Sequence, residues 1–85
     1  SPEEKFLIVL PIDLKKNQKI QILLFKESVA APVLQYNWTL KKEWWQAVAD
    51  VDLSQVPSPS GRWRAEIIID NNKMGVKEFM VKPPL

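Results

Sequence analysis

The chain has neither cysteine nor histidine in its 85 residues. Lacking cysteine, it has no disulfide to staple a small core, no thiolate metal site and no thiol nucleophile. Lacking histidine, it loses the commonest general base and the commonest metal ligand together. Glycine is scarce: two residues against seven prolines give few positive-φ positions and many chain breaks. Charge of one sign is scarce as well. Twelve basic and ten acidic residues leave a net charge of +2, too balanced for a protein that binds nucleic acid by neutralising phosphates. The longest apolar run, "FLIVLPI" at 6–12, is far shorter than the roughly 20 residues that span a bilayer, so membrane insertion by this segment is not expected. No signal peptide is visible behind the Ser1 start. Cysteine usage leaves the compartment open.

What is present is apolar bulk: 46% hydrophobic residues, four tryptophans among them. That is enough for one core, and the length predicts a single domain over 1–85. The pattern of apolar residues predicts strands. In "KFLIVL" at 5–10 both parities are apolar, which suits a strand inside a sheet, and Pro11 is expected to end it. The polar stretch 13–19 reads as a turn into "IQILLF" at 20–25, and 26–32 as a loop. Alternation is cleanest in "LQYNWTL" at 34–40, where Leu34, Tyr36, Trp38 and Leu40 share a face opposite Gln35, Asn37 and Thr39. Residues 41–53 fit either a helical stripe or a strand; the neighbouring strands and the short connection favour a strand.

The Pro- and Ser-rich stretch 54–61 is a loop. After it, "RWRAEIIID" puts Trp63, Ala65, Ile67 and Ile69 on one side, and 62–70 is expected to form a terminal hairpin with 76–82 through turn residues 70–73. Residues 83–85 are expected to trail off as an extended tail. Six to seven short strands without a firm helix predict an all-β, antiparallel sandwich.

The pattern Gly61-x-Trp63-x-x-x-Ile67, followed by a polar turn and Phe79-x-Val81, resembles the last two strands of immunoglobulin-like β-sandwich domains. Tyr36-x-Trp38 and Val51-x-Leu53 upstream are consistent with that layout, so the likeness covers roughly residues 33–82. No cysteine pair bridges the sheets, a departure from many members. The resemblance implies an accessory module of the kind found in bacterial envelope and other extracytoplasmic proteins, where such domains mediate contacts or act as spacers.

Candidate sites are few. Trp44 and Trp45, adjacent on a strand, must point to opposite faces, so at least one is expected near the surface. With Tyr36 they are the candidate contact residues, for a protein partner or, alternatively, for a sugar stacked on the indoles. Trp38 and Trp63 are expected inside. Arg62-Trp63-Arg64 alternates charge and ring as single-strand binders do, but in a strand the arginines share the wet face with Glu66 and Asp70 while Trp63 turns away. Asn37-Trp38-Thr39 matches a glycosylation acceptor by coincidence, and Lys15, Lys16 and Lys19 read as a solvated turn. Asp50 and Asp52 share a strand face without the further oxygen ligands that calcium needs. No cofactor, metal site or catalytic constellation is expected; the predicted role is a non-catalytic interaction or structural module of a larger protein, contacting its partner through an exposed aromatic patch or an unpaired strand edge.

Overall fold

The computed structural model of the chain describes residues 5–27, 29–54 and 56–82, so the expected tail at 83–85 lies outside the described residues. Six strands follow one another: β1 (Lys5–Leu14), β2 (Lys19–Lys26), β3 (Leu34–Thr39), β4 (Trp44–Asp52), β5 (Gly61–Ile69) and β6 (Asn72–Val81). All pairings are antiparallel. They build a two-stranded sheet, β1-β4, and a four-stranded sheet in the order β3-β2-β5-β6, packed as a sandwich-like, all-β domain.

Alternation sets the faces. The inner face of the large sheet carries Ile20, Ile22 and Leu24 beside Trp63, Ala65 and Ile67, each at most 2% exposed. Opposite them, Ile8, Ala47, Ala49 and Val51 close the core from the small sheet. Fully burying a large aliphatic side chain contributes about 1.5–3 kcal/mol, and no buried polar or charged residue among those described offsets it. Within 41–53 the chain forms a strand, Trp44–Asp52, because at that period Ala47, Ala49 and Val51 reach the core together.

Four expectations about the strands and turns are corrected. Pro11 does not end β1, which runs on to Leu14 with an irregular register between Pro11 and Leu14. Among the described residues β1 pairs only with β4, and an edge strand or a bulge is where a residue without an N–H is tolerated. The turn is correspondingly shorter than 13–19: only residues 15–18 lie outside β1 and β2. Nor is β1 interior to a sheet. Its second apolar face, Leu7 and Val9, stays 62% and 38% exposed. Finally, β6 begins at Asn72 rather than 76. Asp70 and Asn71 alone make the turn, with φ of 49° and 68°, the left-handed pair that a type I′ hairpin requires. A register shift between Ile67 and Ile68 then absorbs Met74, placing Gly75, Lys77 and Phe79 opposite Ile67, Ala65 and Trp63.

Trp63 is buried as expected. Its indole N–H donates to the Pro59 carbonyl at 2.7 Å, and its ring stacks on Phe79 with centroids 6.3 Å apart. Gly61, two residues earlier, has φ +124°, a conformation L side chains rarely adopt, which accounts for the glycine in that motif. Trp38, expected inside, is only half-buried at the rim of the core.

Candidate functional site

The connections of this sandwich fall at its two ends, and one end gathers three of them. The β1–β2 turn is tied to the β3–β4 link by two backbone bonds, Asn17 N–H to Leu40 C=O at 2.9 Å and Leu40 N–H to Gln18 C=O at 3.0 Å. The β5–β6 turn joins them through Asp70, whose carboxylate accepts from the Lys19 amide at 2.9 Å and from the Gln18 side-chain amide at 3.4 Å. At the opposite end the Lys26 ammonium donates to the Ser58 carbonyl, and the Glu27 amide donates to the Arg62 carbonyl.

At the three-connection tip β3 and β4 belong to different sheets and are joined by residues 40–43 alone. Backbones that part so close to their link leave a gap. It is an open cleft of about 520 Å³. Leu14, Leu40 and Val48 line it with the indoles of Trp38 and Trp44, while Lys41, Lys42, Thr39 and Gln46 add its polar groups. Leu14 is only 2% exposed, so the cleft reaches down to the core.

Trp44 and Trp45 are 42% and 61% exposed. Although consecutive on a strand, their rings stack with centroids 6.2 Å apart and planes inclined by 28°. Beyond them on β4 the alternation settles and burial begins at Ala47. The Lys42 ammonium sits 5.4 Å from the Trp44 ring centroid, a cation–π contact that holds charge beside the aromatic surface.

Tyr36, the third candidate, is elsewhere. Its ring packs on the core and its hydroxyl accepts from the Asp52 amide at 3.3 Å, tying β3 to β4 and so linking the two sheets. Trp38, Lys41, Lys42 and Gln46 replace it as companions of Trp44. Nothing in local periodicity marks those four as a group, because the gap between two diverging sheets brings them together.

The other candidates have structural surroundings. The Arg64 guanidinium lies 4.2 Å from the Phe25 ring centroid and bonds Glu66 at 3.0 Å, covering an aromatic ring on the outer face of the large sheet. Its hydrogen bond, helped by Lys73 at 3.4 Å, holds the Glu66 carboxyl below its ordinary value. The Asn37 side chain accepts from Gln21 and Gln35 at 2.9 and 3.1 Å. Asp50 and Asp52 are exposed; the Ser54 amide, then its hydroxyl, and the Lys5 charge lower the Asp52 carboxyl. Among the described residues no group of three or more metal-capable side chains forms.

No known protein family, curated protein or solved structure matches this chain.

Proposed function

We propose that the chain is a non-catalytic interaction module of a larger, extracytoplasmic protein, and that it takes a protein partner at the three-connection tip. The exposed, mutually stacked Trp44–Trp45 pair beside an apolar cleft carries this reading. Large rigid aromatics supply contact area at small entropic cost, and they dominate protein interfaces when they flank a pocket that can be desolvated.

Connectivity supports the immunoglobulin-like part of the reading. The order β6-β5-β2-β3 in one sheet and the pair β1-β4 in the other correspond to strands G-F-C-C′ and B-E of that architecture. In variable domains of that architecture the B–C and F–G loops lie at the recognition end; here the corresponding turns, 15–18 and 70–71, flank the tryptophans' tip.

The test is a pair of variants, Trp44→Ala and Trp45→Ala, that keep the native circular dichroism spectrum and lose the partner in pull-down. Retention of the partner by both folded variants would refute the tip as the site.

A second reading keeps the same indoles for carbohydrate. Beside them a separate hollow of about 320 Å³, lined by Trp38 with Gln21, Asn37 and Asn71, adds amide groups suited to sugar hydroxyls. Titration with soluble glycans should then shift tryptophan fluorescence, and a flat response across a broad panel retires it.

A further inference from the structure

Five lysines converge on the tip, and local sequence disperses them. Lys15 and Lys16 lie on the β1–β2 turn, Lys19 opens β2, and Lys41 and Lys42 form the β3–β4 link. Asn17 and Gln18 bring the turn against Leu40 through the two backbone bonds, so the lysine pairs on either side of them become neighbours. The acidic residues at this end are Asp13, Glu43 and Asp70, and Asp70 is already engaged by Lys19 and Gln18. Five basic and three acidic residues on these connections and their immediate flanks give the tip a local excess of positive charge. Among the described residues no carboxylate lines the cleft, whereas Lys41 and Lys42 do.

From this charge distribution we infer that the occupant of the cleft is an acidic peptide segment, with an aromatic or aliphatic side chain entering between Trp38 and Trp44 and flanking carboxylates meeting the lysines. The inference rests on the reading of the tip as a protein-binding site and names its partner's chemistry. The concave, core-reaching shape favours an inserted side chain over a flat lipid surface. Lys42, already held against Trp44, places a cation where a flanking Asp or Glu would lie. Complementary charge of this kind raises the association rate and selects among partners more than it adds raw affinity.

The experiment is a selection of random peptides displayed on phage against the immobilised chain, followed by titration of the synthetic winners. Expected is a consensus of Asp and Glu around one large apolar residue. Binding should weaken about tenfold or more in a Lys41→Glu/Lys42→Glu variant, and again when salt is raised well above physiological strength. Lys15→Glu/Lys16→Glu on the adjoining turn is the second variant, for use if the first does not fold; it should weaken binding less. Winners that need Trp44 or Trp45 but carry no acidic bias, or that ignore charge reversal at both lysine pairs, overturn this inference and leave the protein-binding reading standing. A selection with no tryptophan-dependent winner overturns both. Tryptophan-dependent binding to phosphatidylserine vesicles without peptide winners assigns the tip to lipid instead.

Discussion

The Asn17 amide donates to the Leu40 carbonyl at 2.9 Å, and this one bond joins two connections that are more than twenty residues apart in the chain. It extends the β2–β3 pairing past Lys19 and Thr39 into the turn itself. In consequence the β1–β2 turn is held against the link that precedes Trp44 and Trp45. The aromatic pair therefore stands on a braced platform and does not hang from a free loop.

That bracing depends on left-handed backbone. Asn17 has φ 73° and Asn71 φ 68°. Asn71→Gly should raise stability by up to about 1 kcal/mol, since Asp-Gly is a preferred type I′ pair, whereas Asn17→Val or Asn71→Val should cost about 1–2 kcal/mol. Urea unfolding midpoints with an unchanged slope would check both signs.

The tryptophans should separate by burial. Trp63, 2% exposed and stacked on Phe79, should cost about 3–5 kcal/mol when changed to alanine. Trp45, 61% exposed, should cost no more than about 1 kcal/mol on the same change. Chemical denaturation of the two variants side by side measures the contrast. Equal losses would place Trp45 in the core and remove it from any binding role.

Lys77 lies on the core-facing side of β6, opposite Ala65, and reaches the Val9 carbonyl at 3.4 Å. A cation so placed between two strands that, among the described residues, each pair on one side discourages further strand addition. Lys77→Val should therefore yield concentration-dependent oligomers in sedimentation velocity, while the wild type at matched concentration does not show them.

Acid should act through Glu66. Its carboxyl is lowered from the ordinary 4.5 chiefly by the Arg64 hydrogen bond, so the unfolded chain takes up that proton first as pH falls. The stabilisation is complete above pH 4.5 and is lost as pH drops through the folded-state value. Glu66→Gln should be less stable than wild type at neutral pH, and thermal midpoints followed down to about pH 3 should decline less steeply in the variant. A parallel decline in both proteins would assign the acid sensitivity to other carboxylates.

Much of the fold was legible from period alone. A repeat of two over Leu34–Leu40 and Arg62–Ile69 left one face to bury, and those faces are the ones that meet the core. Errors came where a local rule met a tertiary context. Pro11 reads as a stop, yet a strand that pairs with β4 alone among the described residues accommodates it. The apolar run at 5–10 reads as interior, yet Ile8 is buried while Leu7 and Val9 stay exposed.

Local chemistry, which acts between near neighbours, thus decided most of the strands and their inward faces, the presence of a turn from Asp70 and the exposure of at least one of two adjacent tryptophans. It could not decide which strands share a sheet. That depended on long-range pairing, and with it came the parting of β3 from β4, the cleft between Trp38 and Trp44, and the bonding of the turn that carries Lys15 and Lys16 to the link that carries Lys41 and Lys42. Side-chain alternation carries the same signal whichever neighbour a strand takes, so the neighbour is chosen only when both sheets close over one core.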